Sequence, residues 1–318
     1  MKKVISVVVP MFNEADGIIG FLSKQLIPVL SGLKYDIEII LVDDGSVDKT
    51  VEKVVEKYGD NEEIKLIALA RNFGKEIALT AGLNNTIGDA VIMIDADGQH
   101  PAEMIPKMIE KWEHSAYIVT AVRGENTTKH KIGSKIYYKA MKMCGNKNMV
   151  VGAMDYRLLD RSVVDEFNKM PEHNRLTRGL VDWLGYPQEY VKVHTKSRMS
   201  GKPTYSHKKL IMLTIDGLAS TSRTPLIIFG YIGVGIMVVS LILGLFILIQ
   251  QYILGDPLKL DWSGAVAMSV FIAFLVGLVL VSQAITALYI SQIHVEAKGR
   301  PLYIIDKRKS KGIKNEEK

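Results

Sequence analysis

Cysteine is almost absent from this chain of 318 residues: Cys144 stands alone, which excludes an intramolecular disulfide framework and is compatible with a reducing compartment. No Gly-x-x-x-x-Gly-Lys-Ser/Thr loop occurs, and no Gly-x-Gly-x-x-Gly follows the first apolar run; both absences argue against a P-loop nucleotide hydrolase or a standard dinucleotide enzyme. Despite a net charge of +6 and a pI near 9.1 there is no arginine-rich arm and no aromatic–basic interleaving, so no nucleic-acid partner is expected. The start, Met1-Lys2-Lys3 and then Val4–Val9, imitates a signal peptide. Ser6 interrupts its apolar part, Pro10 ends it and no small-residue cleavage site follows, so a first β-strand is the better reading. Charge is missing altogether from Pro225–Tyr252 and from Trp262–Ile293.

Those two gaps organise the C-terminal part of the chain. Each exceeds the roughly 20 apolar residues a membrane span needs, and they account for a hydrophobic content of 48% and a mean hydropathy of +0.14. Expected spans are therefore 225–252 and 262–293, joined by a short hairpin carrying one lysine, Lys259. The tail 294–318 carries Lys298, Arg300, Lys307, Arg308, Lys309, Lys311, Lys314 and Lys318, which by the positive-inside rule puts the tail and the N-terminal domain in the cytoplasm. Residues 205–222 read as a juxtamembrane amphipathic helix, with Ile211, Ile215, Leu218 and Ala219 on one face and Lys209 and Asp216 on the other. Periodicity alone equally allows a helix packed on the preceding domain; the position before a span favours the interface. Gly230, Gly233, Gly235, Ala273 and Gly277 allow close helix contact, within the hairpin or between subunits of a homo-oligomer. The spans lack Asp, Glu, Lys and Arg, so no channel is expected.

Residues 1–204 are expected to form the catalytic domain. Up to about residue 123, short Val- and Ile-rich runs alternate with helical segments, the pattern of a mostly parallel α/β sheet covered on both faces. Strands are expected at Val4–Pro10, Asp36–Val42, Ile64–Ala70, Ala90–Ile94 and Tyr117–Val122, with helices near 14–30, 48–58, 75–86 and 102–113. From 124 to 204 strand signals thin out, and a loop, short helices and one strand near Glu189–His194 are expected.

In such a sheet ligands bind beyond the carboxyl ends of the strands. The fourth run ends in Asp95-Ala96-Asp97-Gly98-Gln99, and paired aspartate oxygens there suit a hard divalent cation that shares its shell with a diphosphate. The first run ends Pro10-Met11-Phe12-Asn13-Glu14, which offers a stacking face for a base and a carboxylate. The second ends Val42-Asp43-Asp44-Gly45-Ser46, where Gly45 permits the turn and the acids can hold ribose hydroxyls or base edges. After the third come Arg71 and Lys75, which can neutralise a diphosphate; Lys75 can equally pair with a surface acid. Arg123, Arg157, Arg175, Arg178, Arg198 and Lys202 supply cations for two anionic substrates, as does the cluster around Asp155.

Together these elements resemble the family-two glycosyltransferases that act on polyprenyl phosphates, of the dolichol-phosphate mannose synthase and bacterial undecaprenyl-phosphate (bactoprenol) type. The likeness runs in order through Val8–Glu14, Val42–Ser46, Arg71–Lys75, Asp95–Pro101, Asp155–Arg161, Arg178-Gly179-Leu180 with Trp183, and Asp216-Gly217-Leu218 with Pro225-Leu226. It implies a GT-A fold, Rossmann-like, in which Asp95, Asp97 and Gln99 hold Mg²⁺ or Mn²⁺ on a nucleotide-sugar. It also implies donor contacts from Pro10, Phe12, Glu14, Val42, Asp43, Asp44, Ser46, Arg71, Lys75 and Ala96, and an acceptor-side acid at Asp155. Arg157, Arg175, Arg178 and Lys202 are expected on the acceptor phosphate, and Arg123 and Arg198 on the leaving diphosphate. One departure is Thr204, where many relatives carry lysine.

The implied reaction is an inverting transfer of one sugar to a membrane polyprenyl phosphate, from a UDP- or GDP-linked donor. A phosphate monoester has a second pKa near 6 and is already largely ionised, so Asp155 is expected to orient rather than to act as a strong base. The lysine-rich composition points to a bacterial plasma membrane. A processive polysaccharide synthase would carry a Gln-x-x-Arg-Trp motif, absent here, and a nucleotidyltransferase would carry a glycine-rich loop after the first strand. A non-enzymatic membrane scaffold is disfavoured by the full set of acidic and basic motif residues.

Overall fold

The computed structural model describes residues 2–124, 152–173, 175–193, 242, 249 and 264–312. Seven strands form one sheet in the order β3-β2-β1-β4-β6-β5-β7. They are β1 (Val4–Met11), β2 (Asp36–Asp43), β3 (Ile64–Ala68), β4 (Ala90–Met93), β5 (Ile118–Arg123), β6 (Ala153–Asp160) and β7 (Gln188–Val193). All neighbours pair in parallel except β6, which runs antiparallel between β4 and β5. The expected parallel strands are all present, and the N-terminal apolar run is the expected first strand, β1, buried from Ile5 to Met11.

Strand alternation divides the core into two faces. Ile5, Val7, Val9, Ile39, Leu41 and Ile92 pack under α1 (Ile18–Phe21), α2 (Ile27–Leu30), α3 (Thr50–Tyr58) and α5 (Ile105–Glu113). Val8, Ile40, Val42, Val91 and Met93 pack under α4 (Lys75–Asn84), α6 (Arg161–Lys169) and α7 (Thr177–Trp183). The single helix expected near 14–30 is interrupted by a π-type turn, Leu22–Leu26, just before Pro28, whose ring nitrogen has no hydrogen to donate backwards. On the other face α4 lies so close to β1 that a Cβ on Gly82 would stand 2.3 Å from Val8 Cγ1.

Strand β6 is the element least visible in the sequence. It occupies an internal position but carries Asp155 and Arg157 on one face, and both charges are met by partners on α4 and α7. Residues 301–312, expected as part of a basic tail, belong to the sheet unit, where they bridge to Leu66 and Leu69 of the β3 edge.

A second compact unit holds α8 (Gly264–Ala297), 34 residues long. Counted over the described residues alone, which leave out many side chains of α8, no helix is long and apolar enough to cross a membrane, so the expected hairpin is not shown. The segments expected at 205–222 and 225–252 lie outside the described residues, apart from 242 and 249, and many side chains of α8 do as well.

Candidate active site

The strand ends bring most of the expected residues to one edge. The register pairs Met93 with Arg157, so the antiparallel β6 carries Asp155 back alongside Asp95, which follows β4. Lys75, at the start of α4, reaches both: its Nζ is 2.6 Å from Asp95 Oδ1, 2.8 Å from Asp95 Oδ2 and 3.5 Å from Asp155 Oδ2. Arg178 of α7 closes the row, donating to Asp155 Oδ1 from Nη2 at 2.7 Å and from Nε at 3.2 Å. Burial opposes ionisation of Asp155, but Arg178 and Lys75 outweigh it and hold the carboxyl far below the usual range. Burial likewise works against the Lys75 ammonium and is overcome by Asp95 and Asp155, so that its pKa is raised. Asp155 and the Lys75 ammonium are therefore both held in their charged forms.

Asp97 lies two residues beyond Asp95 in the loop after β4, where its Oδ1 accepts the Gln99 N–H at 3.0 Å. Ala96 is buried beneath this loop. Among the described residues no group of three or more His, Cys, Asp or Glu is arranged to hold a metal ion. The donor set of Asp95 and Asp97 is two half-buried carboxylates, hard oxygen ligands that leave the rest of a divalent shell to a substrate diphosphate, as Mg²⁺ and Mn²⁺ sites do. Asp95 also pairs with the Lys75 ammonium, so a divalent ion there would share that carboxylate with Lys75. The residues fit the ion.

The second group lies at the ends of β1 and β2. Pro10 and Val42 are buried under the edge, and Phe12 is 37% exposed there. Asn13, at φ +54, donates its N–H to Ser46 Oγ at 2.9 Å and accepts the Val47 N–H at 3.0 Å, tying the two strand ends together. Glu14 N–H donates to Thr50 Oγ1 at 2.9 Å. Asp43 Oδ2 accepts the Ser46 N–H at 3.0 Å, while Asp43 Oδ1 is buried with no hydrogen-bond partner in the structure. Burial pushes the Asp43 carboxyl up, against Ser46 and the charge of Lys309, which pull it down. Asp44 is spent on the fold: it accepts Phe73 N–H at 2.7 Å and Gly74 N–H at 2.9 Å, fixing the loop that carries Arg71. The Arg71 guanidinium is exposed and lies 4.0 Å over the Phe73 ring. Gly45, at φ +70, is required by a close approach, since a Cβ would stand 2.4 Å from Arg71 C.

Two arginines expected on an acceptor phosphate are structural. Arg157 is 1% exposed and donates from Nη1 to Asp182 Oδ1 at 2.8 Å and from Nε to Met154 O at 3.3 Å. Arg175 is 5% exposed, lies 4.7 Å over Phe167 and donates to the carbonyls of Phe167, Met170 and Glu172. The bonds of both side chains run to groups of the protein itself. Arg123 ends β5 at the ligand edge and is exposed. Arg198 and Lys202 lie outside the described residues.

Two residues near the row went unmarked in the sequence. Glu76, next to Lys75, accepts the Thr177 N–H at 2.9 Å and so holds the start of α7; burial and then Asp155 raise its pKa. His100 is 6% exposed, stacks on Tyr156 at 5.4 Å and places Nδ1 4.0 Å from Asp95 Oδ2; burial lowers its pKa. Its place directly after the acidic loop was the available signal.

The sequence model described as Glycosyl transferase family 2 matches residues 6–167. An uncharacterized glycosyltransferase of Synechocystis sp. is 37% identical over 305 residues, 95% of this chain and 94% of that protein. The bactoprenol glucosyl transferase of Shigella phage SfX is 35% identical over 310 residues, 96% of this chain and 99% of that protein. Among solved structures, mannosyl-3-phosphoglycerate synthase from Rubrobacter xylanophilus aligns with a TM-score of 0.52 at 17% identity, over 68% of this chain and 72% of that one. The likeness is one of fold, the GT-A arrangement of a mostly parallel Rossmann-like sheet.

Proposed function

Because the chain belongs to glycosyl transferase family 2 and is a glycosyltransferase, we propose that it transfers one sugar, with inversion, from a UDP- or GDP-linked donor to a membrane polyprenyl phosphate such as undecaprenyl phosphate. The observation that carries the acceptor is the 35% identity to a bactoprenol glucosyl transferase over nearly the whole chain. The acceptor phosphate oxygen forms the new bond to the anomeric carbon. The bond from that carbon to the nucleotide diphosphate breaks, and its electron pair leaves with the diphosphate. The nucleophile arrives ionised, since a phosphate monoester has a second pKa of about 6. Asp155 needs no proton from it; pinned between Arg178 and Lys75, the carboxylate aims two cations at the converging phosphates. The exposed Phe12 ring suits the base of the donor, and the Asp43 carboxylate at the end of β2 lies beside the same edge. A bound Mg²⁺ or Mn²⁺, held by Asp95 and Asp97 with Gln99 beside them, would supply Lewis-acid stabilisation of the leaving diphosphate.

We further propose that α8 crosses a bilayer as the second of two spans. At 1.5 Å per residue its 34 residues reach about 50 Å, against a hydrocarbon core of about 30 Å. No Asp, Glu, Lys or Arg occurs between 262 and 293. The pairing of residues 301–312 with the β3 edge supports an even number of crossings on this reading. The test is transfer: membranes holding the full chain are given labelled UDP- and GDP-sugars with Mg²⁺ or Mn²⁺. Label should enter organic-extractable lipid, and Asp97→Ala should abolish it. Label found only in water-soluble polymer would overturn the reading.

A further inference from the structure

Strand β3 is an edge strand of the sheet, yet its outer backbone groups are not left open. Leu66 and Lys311 exchange both N–H···O bonds, at 3.0 and 2.8 Å. Ala68 O accepts the Asp306 N–H at 2.8 Å, Ala68 N–H donates to Ser310 Oγ at 2.9 Å, and Ala70 N–H donates to Ile304 O at 2.8 Å. Tyr303 and Ile305 pack against the core under α4, and the Tyr303 hydroxyl accepts from Asn84 Nδ2 at 3.0 Å. Such pairing would serve to protect an edge, but its position does more. The strand it clamps leads directly into the Arg71–Gly74 loop and then Lys75, and the Leu69 N–H on its inner side donates to Asp43 O at 2.9 Å.

We propose that Pro301–Gly312 is a built-in part of the donor site: a strap that sets the position of the Arg71–Gly74 loop and of Asp43, and so fixes affinity for the nucleotide. The proposal rests on the glycosyl-transfer reading and adds residues more than 200 positions downstream of the loop they position.

The test uses the full-length chain in detergent and measures Kd for UDP and GDP, the KM of donor and acceptor, and amide exchange at Leu66, Ala68 and Ala70. Two variants grade the perturbation: Ser310→Ala removes the acceptor of the Ala68 N–H, and Asp306→Pro removes the donor to Ala68 O. Both should raise the Kd of the preferred nucleotide about tenfold, a loss of about 1.4 kcal/mol, with acceptor KM unchanged. If Asp306→Pro fails to fold, Ser310→Ala decides. Variants with faster exchange at β3 but wild-type nucleotide affinity would overturn the strap alone, as would equal losses for donor and acceptor. A wild-type chain that binds neither nucleotide would overturn the glycosyl-transfer reading, and the strap with it.

Discussion

Asp182→Ala separates the two arginines that the sequence places together on an acceptor phosphate. Arg157 is 1% exposed, and its guanidinium is compensated by Asp182 at 2.8 Å and otherwise by the Met154 carbonyl at 3.3 Å. Deleting the carboxylate strands a charge in the core, which costs about 3–5 kcal/mol when one partner of a buried pair is removed. Gln188 Nε2 also loses its acceptor at 3.1 Å, but it is half-buried and water can replace the bond. For a unit of this size each kcal/mol lowers Tm by about 2–4 °C, so the fall should be on the order of 10 °C. The double substitution Arg157→Met with Asp182→Leu removes both charges and should recover most of that loss, since apolar replacement of a buried pair is close to neutral. A deficit of about 1 kcal/mol should remain for the lost bond to Met154.

The assay is thermal unfolding of the full chain in detergent, followed by circular dichroism, with donor and acceptor KM measured well below the transition. Arg178→Gln is the contrast: its side chain is one-quarter exposed and pairs with Asp155 at the open edge, so acceptor KM and turnover should suffer while Tm stays near wild type. An Asp182→Ala protein that melts like wild type would refute the reasoning. So would an Arg157→Met protein of full stability whose acceptor KM alone has risen about tenfold.

Three further outcomes are expected. Asp97→Asn should reduce turnover by at least about 100-fold in the labelled-sugar assay while circular dichroism stays unchanged, because it weakens charge stabilisation of the departing diphosphate. Gly45→Ala forces φ +70 on a residue with a Cβ placed 2.4 Å from Arg71 C, so it should cost about 1–3 kcal/mol in denaturant unfolding and raise donor KM more than acceptor KM. The Glu76 carboxyl is raised above its ordinary 4.5 by burial, so the folded state binds its proton more tightly than the unfolded chain does. Its stability contribution is then complete below pH 4.5 and is lost as pH rises through the folded value. Glu76→Gln, which keeps an acceptor for Thr177, should match wild type in Tm at low pH and exceed it increasingly as pH rises.

The parallel part of the sheet was legible because β1, β2 and β4 are buried on both faces and read as unbroken apolar runs. The ligand edge was legible for a related reason: carboxylates that end such runs, as at Asp43 and Asp95, have nowhere to go but the crevice. Strand β6 was hidden by its own charges, and the pairing of residues 301–312 with β3 was hidden by distance in sequence, since nothing in a lysine-rich segment names the strand it will join.

The different fates of the arginines follow from a match of spacings that no single segment contains. Asp155 and Arg157 are two residues apart on β6, which places them on one face about 6.6 Å apart. Arg178 and Asp182 are four apart on α7, one helical turn or about 6 Å along the axis, and again share a face. Laid against each other, strand and helix form two ion pairs in step, Asp155 with Arg178 and Arg157 with Asp182. The polarity alternates, so each arginine meets an acid. Because β6 runs antiparallel, Asp155 comes out at the ligand edge and Arg157 lies one repeat deeper under the helix. Depth alone then decides the chemistry. The outer pair stays partly exposed at the edge and borders Lys75 and Asp95, while the inner pair is sealed between β6 and α7. Function at the edge thus depends on a buried copy of the same interaction, and loosening the inner pair should displace Arg178 before it unfolds the sheet.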